Sequence, residues 1–438
     1  MTAAQQQRTQ SLIIGADAIA CVLALLATPC PIGARALSLM ARTCKLVGLK
    51  GQLDNLSKDS TEPSMVVQIA QDACKELGVH RLPLAMGDDW CWSRMLSWLS
   101  QAVRVGAQCE LKTIEDGVDA ADGKVDLIKD DGDVLVESSL LVLVEPGVYE
   151  EEVLQVDGGQ RVSIWRCDRE GESNKKEMQK AEWRSGDGWT LVVNDEATVV
   201  SVNGMHMSAV KSEGYDGEGF SCVLAEDEGT LCLEGCDLTC EDQSVVEFSY
   251  AGTTARMSGC CVHDGKQGGV LIHGGASATL ENNNIHSNTK VGVEVQDQGT
   301  VAMLRSNTIH DGMSTGVSIN GQASATLENN TITDNDLAGV QLTRHATATL
   351  TGNTTKGNGQ CKIERAEEEF VEWPDVRIDL YRSTGFPGVR VLMDSTVTML
   401  PGSNTIEGNG KLGSSGEQVV VDGTSLLTPQ YPVTVAFN

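Results

Sequence analysis

GGVLIHGGASATLENNNIHSN (268–288), VGVEVQDQGTVAMLRSNTIHDG (291–312), TGVSINGQASATLENNTITDN (315–335) and AGVQLTRHATATLTGNTTKGN (338–358) are versions of one phrase. Ile285, Ile309 and Ile332 fall in one slot, 24 and 23 residues apart, and Gly292, Gly316 and Gly339 repeat with the same spacings. Self-similarity at a fixed period of this size marks a solenoid. Short alternations such as Val317-Ser318-Ile319 and Ala325-Thr326-Leu327 have the period of a strand. The Gly, Asn, Asp and Ser residues between them tolerate left-handed backbone and make corners. A coil of about 23 residues with three strands and three corners predicts a right-handed parallel β-helix, equivalent residues stacking about 4.8 Å apart.

The repeat assigns its positions. Leu280, Leu304, Leu327 and Leu350 form an inward ladder, as do Val262, Ile285, Ile309 and Ile332. Asn283, Asn307, Asn330 and Asn353 form a corner ladder whose side-chain amides bond from coil to coil. Outside, Glu281, Arg305 and Glu328 alternate in charge, so stacking attracts.

Working outward, the chain has 438 residues, room for one solenoid plus a smaller domain. Its 61 acidic and 33 basic residues give a formal charge of −28. That argues against nucleic acid and against an anionic membrane as partners. Aromatic residues, at 4%, are scarce for a sugar-binding groove. The 14 cysteines are scattered, and Cys222, Cys232, Cys260 and Cys261 fall in strand-like runs. They read as reduced, core-filling thiols of a cytoplasmic or nuclear protein. Cys232, Cys236 and Cys240 are evenly spaced but lack a fourth ligand at zinc-like spacing.

The apolar run Leu12–Ala27 is interrupted by Asp17 and reads as a buried helix rather than a signal or a membrane span. Further helices are predicted over Ala34–Leu49, from Met65 to Leu77, and around Trp90, Trp92 and Trp98. Residues 1–110 thus form a small α-helical domain, 111–410 the β-helix, and 411–438 a capping segment. Thr113–Ala121 is a candidate short helix covering the open end of the solenoid. A charged loop insertion near 359–387 separates the last coils.

Three passages resemble the β-helix of carbohydrate-binding proteins and sugar hydrolases, and within that group F-box only proteins that carry such a helix. They are VLVEPGVYEEEVLQV (142–156), the coils with Asn-x-Ile-His-Asp-Gly corners, and HATATLTGN (345–353). Residues 16–49 are similar to an F-box in helix order and in the Ala-Arg-Thr-Cys-Lys phrase. The resemblance implies a non-catalytic protein-recognition scaffold, with a Skp-family adaptor bound through residues 11–50. A protein substrate would lie on the β-helix face, as in a cullin-type ubiquitin ligase. The alternative is a carbohydrate-binding or polysaccharide-modifying protein.

The sequence assigns no catalytic, cofactor or metal residue. Gly147–Glu151 resembles a turn of pectin methylesterases, but their catalytic Asp-containing strand is missing. Glu294 and Asp297 share a coil, yet the slots one coil on hold Ser318 and Gly321. His263, His286 and His310 stack in one slot; they read as a repeated corner residue, or as a stripe for a metal or acidic ligand.

Overall fold

The computed structural model describes residues 102–122, 140–167, 180–186, 188–211, 219–359, 387–399, 404–410, 419–421 and 426–429. The expected N-terminal helices, with the F-box-like residues 11–50, lie outside the described residues, as does most of the 359–387 insertion.

The chain divides into two compact units. In the first, strand Val103–Val105 pairs in parallel with Leu140–Val144. Helix Ile114–Asp122 packs beside them, one residue from its expected bounds. Thr113 caps it, its Oγ1 accepting the Asp116 N–H at 3.0 Å, and Glu115 and Asp116 suit the positive N-terminal end. Ile114, Val118 and Ala121 form its buried stripe. A Cβ at Gly117 would sit 2.5 Å from Val105 and 2.9 Å from Val142, so the helix rests directly on the strands.

The second unit is the solenoid. Each coil contributes one strand to each of three parallel sheets. In one coil these are Gly268–Ile272 in the first sheet, Ser277–Glu281 in the second and Asn284–His286 in the third. Both predicted apolar ladders are in register and buried. Each such Leu or Ile contributes about 1.5–3 kcal/mol by burial.

Register extends well upstream of the legible repeats. Trp183, Met207 and Leu238 continue the inward column that ends in isoleucines. Larger side chains fill the same pleat there, so the wording is lost while the geometry persists. Downstream, strands Val419–Val421 and Leu426–Pro429 pair in parallel with Val389–Val391 and Thr396–Met399. Part of the segment expected to cap the solenoid therefore adds to the winding.

Two columns explain why the corners repeat. In the predicted asparagine ladder, Nδ2 of Asn283, Asn307, Asn330 and Asn353 donates to Oδ1 of the next asparagine at 2.9, 3.0, 2.9 and 3.2 Å, ending on Asn404. A second ladder, not singled out in the sequence, runs Asn335, Asn358 and Asn409. Both satisfy buried backbone groups where the chain turns. The ion ladder also forms: Arg305 lies 3.0 Å from both Glu281 and Glu328, and Arg256 extends it to Glu281 at 2.9 Å.

The glycine column marks the closest approach of neighbouring coils. A Cβ on Gly292 would lie 2.7 Å from the Gly316 carbonyl oxygen, and one on Gly316 would lie 2.8 Å from that of Gly339. Gly316→Ala also meets Ile332 Cγ2 at 2.5 Å. It is expected to cost about 1–3 kcal/mol by forced displacement of packed groups. Denaturant unfolding checks this, with Thr331→Ala, an exposed site, as the near-neutral control.

Candidate functional site

One concentration of polar chemistry lies on the outer face of the first sheet. Val246, Val270, Val293 and Val317 point inward, so the pleat sends the following residue out. The outward column reads Leu224, Glu247, Leu271, Glu294, Ser318 and Gln341. Glu247 and Glu294 thus face the same way, two coils apart, with Leu271 between them. Two coil steps separate their backbones by about 9–10 Å.

His273 joins from the end of the intervening strand. Its Nε2 is 3.0 Å from Glu247 Oε1, and Ser221 Oγ donates to Glu247 Oε2 at 2.8 Å. Asn320 Nδ2 donates to Glu294 Oε1 at 3.1 Å. Asp297 Oδ2 lies 4.0 Å from His273 Nδ1 and accepts the Gly274 N–H. At the rim Tyr250 is 53% exposed, its ring 6.5 Å from that of His273. Tyr250 adopts φ +66°, a region a bulky residue enters only under constraint. Next to it on the following coil is Gly274, where a Cβ would lie 3.0 Å from the Tyr250 backbone nitrogen and 3.7 Å from its ring Cδ1.

The two glutamates are driven apart electrostatically. Burial pushes the Glu294 carboxyl above the usual range, and its Asn320 contact only partly opposes this. Burial also acts on Glu247, but the hydrogen bonds from His273 and Ser221 outweigh it and hold Glu247 below the usual range. His273 is raised, first by its bond to Glu247, against the effect of burial. Glu226 is raised by burial and by the nearby Asp227 and Glu247 charges. Carboxyl groups split in this way, facing outward from one sheet, are the raw material of acid–base catalysis.

A pH dependence of stability follows from the Glu247–His273 pair. His273, raised above 6.5, contributes fully below that value and loses its contribution as pH rises through its folded value. Glu247, held below 4.5, contributes above that value and loses it as pH falls through its folded value. The destabilisation caused by His273→Gln is therefore expected to be largest between pH 4.5 and 6.5 and to shrink on either side. Denaturant melts across pH 3–9 read this; a pH-independent difference contradicts it.

In the sequence pattern Glu294 and Asp297 stack on Ser318 and Gly321 of the following coil, which makes no carboxylate cluster. The partner lies on the other side, at Glu247, in a coil whose wording no longer matches the repeat. Aligning Val245-Val246-Glu247-Phe248 with Gly292-Val293-Glu294-Val295 was the available signal. The predicted histidine stack does form: the rings of His263 and His286 lie 5.1 Å apart at 3°, and those of His286 and His310 lie 5.2 Å apart at 21°. Cys232, Cys236 and Cys240 do not converge. Cys236 and Cys240 are buried and donate to the Val202 and Phe220 carbonyls, while Cys232 is half-buried.

The family model for the right-handed β-helix region matches residues 193–355. Among solved structures, the enzymatically active domain of bacteriophage CBA120 tailspike protein 2 is similar at 9% identity and TM-score 0.45, over 73% of this chain and 43% of that one. The A-module of the Azotobacter vinelandii mannuronan C-5 epimerase AlgE6 is similar at 12% identity and TM-score 0.42, over 73% and 94%. An Aspergillus niger pectin methylesterase follows at 13% identity and TM-score 0.39, over 75% and 92%. The chain spans less than half of the tailspike domain it matches. No curated protein sequence matches it. At such identities the likeness concerns the fold. The three parallel sheets and the matched region show that the chain folds as a right-handed parallel β-helix.

Proposed function

We propose that the outer face of the first sheet binds a neutral polysaccharide and hydrolyses it by acid–base catalysis. The observation that carries this reading is the oppositely perturbed pair Glu247 and Glu294, two coils apart on one face and flanked by an exposed tyrosine in constrained backbone. The fold likenesses reported above do not carry it. A net charge of −28 disfavours a polyanionic chain and leaves neutral sugars as the substrate class.

Inverting glycoside hydrolysis needs two carboxyls about 6.5–9.5 Å apart with room for a water between them. Two coil steps set the Glu247 and Glu294 backbones about 9–10 Å apart, at the upper edge of this range, with Leu271 between them. Glu294 gives its proton to the leaving glycosidic oxygen. Glu247, oriented by His273 and Ser221, takes a proton from the water that attacks the anomeric carbon from the opposite side. Tyr250 supplies the stacking platform that the low aromatic content makes rare elsewhere in the chain.

The test is incubation of the full chain with neutral glucans, xylans and mannans, following new reducing ends and their anomeric form. One anomer, inverted relative to the substrate, is the expected product. No product and no binding across the panel removes the reading. A stoichiometric complex with a Skp-family adaptor in that case favours the recognition-scaffold alternative, whose adaptor contact was placed at residues 11–50.

A further inference from the structure

The outer face of the third sheet carries a separate cluster, independent of the glycan reading. In-register strands place His206, Asp237 and Cys261 in one outward column, and His263 and His286 in the next. One potential ligand atom from each of Asp237, Cys261 and His263 lies within 4.8 Å of the other two.

The hydrogen bonding of His263 is unusual. Its Nδ1 lies 2.7 Å from Asp264 Oδ2 and its Nε2 lies 2.9 Å from Asp237 Oδ1. Both ring nitrogens therefore point at carboxylate oxygens, which only accept. A neutral imidazole carries one N–H and can satisfy one of them. The gap between Nε2 and Asp237 calls for a cation, either a second proton or a metal ion. The Nδ1 contact to Asp264 is the arrangement that fixes a metal-ligating histidine with Nε2 available. Asp237 is oriented in the same sense. Lys180 Nζ at 2.7 Å and His206 Nδ1 at 3.0 Å hold Oδ2, the histidine within ion-pair range but poorly aligned for a hydrogen bond. Oδ1 is left facing His263. On the far side, His286 Nε2 lies 3.4 Å from Cys261 Sγ.

We propose that Asp237 Oδ1, Cys261 Sγ and His263 Nε2 bind a divalent transition-metal ion of the zinc type, with a fourth position open to water. An oxygen, a nitrogen and a sulfur donor together suit zinc and disfavour magnesium or calcium, which take oxygen ligands. Two donors at about 2.0–2.1 Å from a tetrahedral ion lie about 3.3 Å apart, so Nε2 and Oδ1, now 2.9 Å apart, separate slightly to admit the ion while the Cys261 thiol closes in. Binding takes the Cys261 thiol to its thiolate and displaces the proton at His263 Nε2, both protons passing to solvent.

The experiment uses the full chain, stripped with chelator and titrated with Co2+ and then Zn2+. One equivalent of Co2+ is expected to give a thiolate-to-cobalt charge-transfer absorption that Zn2+ abolishes. Cys261→Ser removes that absorption, whereas Cys232→Ser retains it. Asp264→Asn, at an exposed corner position with φ +58° that asparagine tolerates, is expected to weaken Zn2+ binding about 10–100-fold with circular dichroism unchanged. The inference is overturned if the folded protein takes up no stoichiometric Co2+ or Zn2+, if the absorption survives Cys261→Ser, or if Asp264→Asn leaves the affinity unchanged.

Discussion

Asn330→Ala is expected to lower the unfolding free energy by about 2–5 kcal/mol, because it strands several buried polar groups at once. The Asn330 side chain donates to the Leu304 carbonyl at 2.8 Å and to Asn353 Oδ1 at 2.9 Å. It accepts from the backbone N–H of Asn307 at 2.9 Å and from Asn307 Nδ2 at 3.0 Å. Removing it leaves the Asn307 N–H and the Leu304 carbonyl short of a partner in a dry corner. Each group left unsatisfied costs about 1–3 kcal/mol. Asn330→Asp keeps the acceptor but buries a charge, and is expected to be at least as harmful. Chemical denaturation against Thr331→Ala, the exposed neighbour, measures the difference. A loss below about 1 kcal/mol for Asn330→Ala would show that water enters the corner and that the ladder is not a buried network.

The second large effect concerns chemistry. Glu294→Gln preserves shape and the contact with Asn320 but removes the proton donor, and is expected to cost about 10²–10⁴-fold in kcat on a neutral polysaccharide. Activity requires Glu294 protonated and Glu247 charged. Glu294 is raised and Glu247 lowered from 4.5, so the active window straddles that pH. The rate falls on the acid side as Glu247 is protonated, and on the alkaline side as Glu294 loses its proton. Glu294→Gln removes the alkaline limb, while Glu247→Gln removes the acid limb. His273→Gln releases Glu247 from its low value and is expected to move the acid limb upward. Equal losses from all three variants with unchanged pH profiles would indicate a structural role alone.

Much of the fold was legible from the four repeats, because their side chains are dictated by stacking. A column residue must match the one above it, so Leu280, Asn283 and Gly292 predict their own register. Alternating charge at Glu281, Arg305 and Glu328 could be read in the same way. Legibility failed where a column tolerates different residues. Trp183, Met207 and Leu238 fill the same inward pleat as Ile285 without sharing its identity. The candidate site lies across that boundary, Glu294 in a worded coil and Glu247 in an unworded one, so only the register brings them together. The cluster around Asp237 was hidden for the same reason. His263 and Cys261 stand at the start of the histidine stack, but their acidic partner lies in a coil that the repeat does not describe.

The most direct test of the central proposal is hydrogen exchange of the full chain with and without a saturating neutral oligosaccharide. The account predicts slowed exchange on the first-sheet strands Ser244–Phe248, Gly268–Ile272 and Val291–Val295 and on the Tyr250 corner, and loss of that protection in Tyr250→Ala. Protection confined to the second or third sheet, or none with any neutral sugar, would contradict it.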